Sequence, residues 1–174
     1  LFTKIGSTIT GGMIVETEAY SWKERGCHAY GAKKTMRNAV MFEKGGHSYV
    51  YLCYGMHHLF NVVTNAPNVA DAVLVRAIEP LKGVELMKIR RGKSVNERQL
   101  TSGPGKLTRA LGIDRNWNGK LLAGDEIWIE DLEQKIPTTK IEASARIGIA
   151  YAGEDALLTW RFTMKGNEWL SKHT

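Results

Sequence analysis

Alternation of polar and apolar residues marks most of this chain as short strands. "TITGGMIVETEAY" alternates with the period of two that a half-buried strand requires. Residues 1–20 therefore read as two short strands joined by a turn at Gly11-Gly12. Residues 21–46 are polar and glycine-containing, predicting loops with a short helix. "HSYVYLCYGMHHLFNVVTN" has aromatic and β-branched residues on either side of Gly55, the pattern of a β-hairpin with its tip near Tyr54-Gly55-Met56. "DAVLVRAIEP" predicts another strand, stopped by Pro80. Leu81 to Arg91 and Pro104 to Leu111 read as helices, the second with proline near its start and Gly112 just past its end. "DEIWIED" and "WRFTM" supply further strands, and "IEASARIGIA" is compatible with more than one element. The mixture predicts an α+β fold: a single domain over residues 1–174, mostly an antiparallel curved sheet with a protruding β-hairpin and flanking helices. No repeat, low-complexity tract or linker divides the chain.

Composition changes this picture little. With 174 residues, 43% hydrophobic and 24% charged, the chain resembles ordinary globular proteins and has enough length to bury a core. Two cysteines, Cys27 and Cys53, are too few and too far apart for a disulfide scaffold or a zinc finger, and are expected to be reduced thiols. No apolar run reaches the length of a transmembrane helix. The chain opens "LFTKIG" without a visible signal peptide, and its amino-terminal start is expected to be absent. A cytoplasmic location is expected, nucleoid-associated in a bacterium.

Charge changes it more. The net charge is +6, and between Lys82 and Arg109 eight Lys/Arg, Lys93 among them, face only Glu85 and Glu97. A localised excess of this kind is the footprint of a phosphate-binding surface, or of a solvated helix face.

Two features raise chemical questions. Glu16, Glu18 and Tyr20 share one face of their strand, and a carboxylate among apolar residues needs a partner, a hydrogen bond or a task. Two residues of strand span about 6.6 Å, near the spacing of the two acids of an inverting glycosidase. The plainer alternative is an ion pair with an arginine such as Arg76 or Arg146. The hairpin is the second feature: three of the six tyrosines, Tyr49, Tyr51 and Tyr54, fall within six positions. Aromatic rings stack on nucleobases and wedge into base steps; ordinary sheet packing explains Tyr49 and Tyr51 equally well, and Tyr54 least. His57-His58 lacks a zinc spacing, and "TSGPGKLTRALG" lacks the GxxxxGK[ST] pattern of a phosphate loop.

In order along the chain, "IVETEAY", "CHAYGAKKTMRNAVMF", "YVYLCYGMHHLFNVV", "AVLVRAIEP", "TSGPGKLTRALGI" and "ARIGIAYAGE…WRF" resemble the alkyladenine (3-methyladenine, methylpurine) DNA glycosylase family. The resemblance implies base excision repair: hydrolysis of the N-glycosidic bond of alkylated or deaminated purines, of 3-methyladenine or hypoxanthine type, in duplex DNA bound from the minor groove. It implies Glu18 as the base that activates water and Arg76 as the residue that helps position that water. Tyr20 would stack on one face of the flipped base, with His28 and Tyr51 on the other. Tyr54 would fill the vacated place in the helix, and Asn61 would disfavour the amino group of guanine. A monomer acting without metal or organic cofactor is implied. Two rival readings stay open at this point: a nucleic-acid-binding module without catalysis, and a carbohydrate hydrolase using Glu16 and Glu18 together.

Overall fold

The computed structural model describes residues 1–92 and 94–171. Strands β1 (Phe2–Ile5) and β2 (Thr8–Tyr20) open the chain, followed by a long irregular segment with two 3-10 turns. Next come β3 (Ser48–Cys53), β4 (His57–Val63), β5 (Ala72–Lys82) and helices α1 (Val84–Arg91) and α2 (Pro104–Leu111). The carboxy-terminal part adds β6 (Ile127–Trp128), β7 (Ile141–Ser144) and β8 (Arg161–Met164). All paired strands run antiparallel in one sheet of order β3-β4-β5-β2-β1-β6, with β8 also on β2 and β7 outside β8.

Strand β2 is the spine. On one side it pairs with β5 over almost its whole length; on the other its first half meets β1 and its second half β8. This corrects the predicted turn at Gly11-Gly12, which lies inside the strand; the chain reverses instead at Gly6-Ser7. The glycines are there for close approach. A Cβ on Gly11 would stand 2.1 Å from the Phe2 ring, and one on Gly12 the same distance from the Glu79 carbonyl oxygen. Pro80 likewise does not stop β5, which runs on to Lys82. Strand β4 accompanies β5 only over Ala72–Leu74, so Pro80 lies where β5 has lost that neighbour and an absent N–H is tolerated. Helix α1 consequently starts later than predicted, at Val84. Helix α2 has the predicted limits, closed by Gly112 at φ 73°.

Two apolar clusters cover the sheet. One gathers Val50, Phe60, Val75 and Ile78 against Met87, Leu107 and Leu111 of the helices. The other packs Cys27, Met41 and Phe42 of the irregular segment on Tyr49, Val63 and Ala72. Alternation along β3 accounts for the division: Val50 belongs to the helix side, and Tyr49 and Tyr51 to the loop side. Along β5 the alternation breaks, since Ile78 joins the helix-side core while Arg76 and Leu74 line a cavity on the other face. The β2–β5 ladder is irregular at that point, with Glu16 opposite Ala77 and Thr17 opposite Val75. Such an irregularity re-aims side chains, and here it coincides with the charged cluster described next.

Candidate active site

Glu16 and Glu18 are both fully buried, and Arg76 reaches both. Its Nε donates to Glu16 Oε1 at 2.8 Å and its Nη1 to Glu18 Oε2 at 3.2 Å. The two carboxylates nevertheless have different surroundings. Glu16 also accepts from Arg161 Nε at 2.8 Å, from the Ser171 hydroxyl at 2.7 Å and from the Ser171 N–H at 2.6 Å. Burial by itself would raise the Glu16 pKa, but these hydrogen bonds and the two guanidinium groups prevail and hold it below the ordinary value. Glu16 is thus a fixed anion that orients Arg76.

Glu18 accepts the Tyr20 hydroxyl at 2.8 Å on the oxygen that Arg76 also holds, and the Ile147 backbone N–H at 2.7 Å on the other. Burial, then the charge of Glu18, pushes the Tyr20 pKa up, so this phenol stays protonated and remains a donor. Tyr20, Arg76 and Ile147 all line a cavity of about 380 Å³, while Glu18 lies just beneath its wall. Each carboxylate oxygen has two lone pairs. Oε1, with the Ile147 bond, keeps an acceptor direction for a water molecule.

The far wall is aromatic. His28 and Tyr51 rings meet edge to face with centroids 4.5 Å apart, and Tyr49 lies 5.5 Å from Tyr51. The His28 Nδ1 and the Tyr49 hydroxyl share a hydrogen bond of 2.8 Å. His28 remains exposed at the cavity mouth, and its partial desolvation there, then the charge of Arg37, lowers its pKa below the ordinary histidine value. Asn61 is buried in the same wall, its amide donating to the Tyr49 carbonyl at 3.1 Å. Tyr49 itself is 2% exposed and belongs to the core, the plainer of the two readings for that residue.

The β3–β4 hairpin turns at Tyr54-Gly55-Met56, where the sequence predicts it. Tyr54 is 86% exposed at the cavity rim, with φ at 50°. An aromatic held outward in the left-handed region serves no core. Met56 beside it is similarly exposed.

All seven residues singled out in the sequence thus meet at one place: Tyr20, His28, Tyr51, Tyr54, Asn61 and Arg76 line the cavity, and Glu18 underlies it. Sequence reasoning missed the Ile147 N–H, Ser171, and the Arg37 guanidinium 5.6 Å from the Tyr51 ring centroid. The first two act partly through backbone, which leaves no residue-type signal. Arg37 sits in "KKTMR", a basic run whose Lys33, Lys34 and Arg37 are exposed. Buried Asn38 ties this run to the site, accepting from the Thr35 N–H and donating to the carbonyls of His28 and Lys33.

The basic segment Lys82–Arg109 is largely engaged within the fold. Arg90 bonds Thr10 and the Ala110 carbonyl, Arg91 the Leu100 carbonyl and Arg109 the Arg90 carbonyl. Lys88 pairs with Glu85 and Arg98 with Glu168. Lys93 lies outside the described residues. Among the described residues no group of His, Cys, Asp and Glu is arranged to hold a metal ion, and no helix is long and apolar enough to cross a membrane.

The family model of methylpurine-DNA glycosylase matches residues 1–168. A protein of Carboxydothermus hydrogenoformans named "Putative 3-methyladenine DNA glycosylase" is 50% identical over 162 residues, 92% of this chain and 82% of the relative. Proteins of the same name from Chlamydia felis and Chlorobaculum tepidum are 45% and 44% identical, covering 94% and 97% of this chain and 84% and 78% of theirs. A match over nearly the full length, on a chain whose buried acid, aromatic cavity and outward tyrosine converge, leads to one conclusion: the chain belongs to the methylpurine-DNA glycosylase family and is a DNA glycosylase.

Proposed function

We propose that this protein hydrolyses the N-glycosidic bond of alkylated or deaminated purines, of 3-methyladenine or hypoxanthine type, in duplex DNA, releasing the free base and leaving an abasic site. The carrying observation is a buried carboxylate, Glu18, held by three groups of the wall of an aromatic cavity large enough for a base.

The sugar C1′ is inaccessible inside a duplex, so the nucleotide must leave the stack, which costs a few kcal/mol. Tyr54 supports the reading that the gap is filled from the minor-groove side by a side chain already directed outward. The extruded base stacks between Tyr20 on one side and His28 and Tyr51 on the other, and Asn61 crowds the edge where guanine carries its amino group.

Glu18 then takes a proton from water at Oε1 as the water oxygen bonds C1′ and the C1′–N bond to the base breaks, its charge stabilising the oxocarbenium-like sugar; a neutral base leaves as its anion and takes a proton from solvent. Arg76 holds the opposite oxygen, and Glu16 holds Arg76. Keeping Glu16 engaged with Arg161 and Ser171 disfavours the two-acid carbohydrate hydrolase, which needs both carboxylates free to act. A cationic alkylated base leaves with little acid assistance. The protein acts as a monomer, in the cytoplasm, where the DNA of a bacterial cell lies.

The test is incubation with duplexes that each carry one defined lesion, scored for free base and alkali-labile sites. Release from 3-methyladenine or hypoxanthine duplexes, with none from undamaged DNA, is expected. Binding without release from any lesion overturns the reading in favour of a non-catalytic module.

A further inference from the structure

Behind the Tyr20 ring, on the side away from the cavity, lies a second cation. The Arg146 guanidinium carbon is 4.7 Å from the centroid of Tyr20 and 5.2 Å from that of Trp160, within cation–π distance of both rings. Glu24 grips it in a fork, Oε1 accepting from Nη1 at 2.7 Å and Oε2 from Nη2 at 2.8 Å. Nη1 also donates to the Ala19 carbonyl at 2.9 Å, and Nη2 to the Asp155 carbonyl at 3.0 Å. Both side chains of the pair are buried and neither lines the cavity, whereas Tyr20 does. Glu24 Oε2 further accepts the Gly26 N–H at 2.7 Å, and Gly26 is part of the cavity wall.

This arrangement exceeds what packing requires. A stacking ring could be backed by any aliphatic side chain, without burying a charge pair whose desolvation is costly. A cation on one face of an aromatic ring draws its electron density to that side and makes the opposite face less attractive to a second cation. The opposite face of Tyr20 is the one a base would meet. Glu24 moderates the effect by neutralising most of the arginine's charge.

We infer that the Arg146–Glu24 pair is a specificity device that, through Tyr20, sets how the cavity weighs cationic alkylated purines against neutral deaminated ones. Neither residue touches the base; both are positioning residues. The inference rests on the proposed glycosylase activity towards both lesion classes and adds to it the control of base charge. Removing the Glu24 charge leaves the Arg146 cation uncompensated, which must disfavour a cationic base and favour a neutral one. Removing both charges does the reverse.

The measurement is the single-turnover rate of base release from duplexes with 3-methyladenine (cationic) or hypoxanthine (neutral), taken as a ratio within each variant. Glu24→Gln is expected to lower the cationic-to-neutral ratio by about tenfold. The paired change Glu24→Gln with Arg146→Met is expected to restore or exceed the wild-type ratio. A purely structural role would slow both substrates equally and leave the ratio unchanged in both variants, and that result overturns the inference. Glu24→Asp, which retracts the carboxylate from the guanidinium while keeping an acid in place, serves if either variant fails to fold; its ratio must fall below that of wild type, and an unchanged ratio also overturns the inference. Absence of release from either duplex by the wild-type protein would instead refute the proposed activity.

Discussion

Replacing Glu18 with Gln separates chemistry from architecture, because the site holds this side chain by three bonds of known direction. Oε2 accepts from Tyr20 and Arg76, and Oε1 from the Ile147 N–H. A glutamine can turn its carbonyl towards Tyr20 and Arg76 and keep both bonds. Its amide then faces the Ile147 N–H, donor against donor. One buried donor without an acceptor costs about 1–3 kcal/mol of stability, a loss that a domain of this size survives. The reaction loses more. A positioned general base contributes about 10²- to 10⁴-fold, and the carboxylate's charge is lost as well, so the rate of base release should fall by at least about a thousandfold. Single-turnover release from a hypoxanthine duplex measures the rate, and titration of the same duplex measures affinity, which should stay within about threefold of wild type. Release by a folded Glu18→Gln protein within tenfold of the wild-type rate would refute the assignment.

Three further outcomes follow from the same geometry. Glu16→Gln should reduce stability by about 3–5 kcal/mol, since it strips the anion from buried Arg76 and Arg161. Because Glu16 has a folded-state pKa below its ordinary 4.5, its stabilisation is present above that value and fades as the pH falls through the lowered one. The wild-type melting temperature should therefore drop more steeply than that of the variant as the pH falls below 4.5, and parallel profiles would refute the ion-pair role. Tyr54→Ala should change stability by no more than about 0.5 kcal/mol, yet weaken binding to a lesion duplex by about tenfold or more; a large fall in melting temperature without a change in binding would make Tyr54 structural. Joint replacement of Lys33, Lys34 and Arg37 by Gln should reduce the slope of log K against log salt by about 0.9 for each DNA phosphate that is no longer neutralised. An unchanged slope would leave the phosphate surface with the Lys82–Arg109 segment.

The engagement of that segment shows how far charge counting reaches. Eight basic residues in one stretch are visible in the sequence, but their bonds to carbonyls of Leu100, Ala110 and Arg90 are not, because those partners lie up to twenty residues away along the chain. Local signals proved dependable where the cause was local. The hairpin tip at Tyr54-Gly55-Met56 and the limits of α2 depend on turn and capping preferences of adjacent residues, and both stand where predicted. The glycine pair and Pro80 misled because each has two uses. A glycine can make a turn or admit a neighbouring backbone, and a proline can end a strand or sit at its unpaired edge. The choice depends on what lies across the sheet.

The division extends to the site. By itself the sequence determined the strand bearing Glu16, Glu18 and Tyr20 on one face, the aromatic hairpin and, through ordered motifs, the family to which the chain belongs. The resemblance already implied Glu18 as the working acid; only the tertiary structure supplied the partners that set the surroundings of the two glutamates apart. Ser171 and Arg161 approach Glu16 from 155 and 145 residues away, while Ile147 and Tyr20 take Glu18. Side chains two apart on a strand are chemically identical until the fold surrounds them; apart from Tyr20, their difference is made by groups that only long-range packing brings within hydrogen-bonding distance.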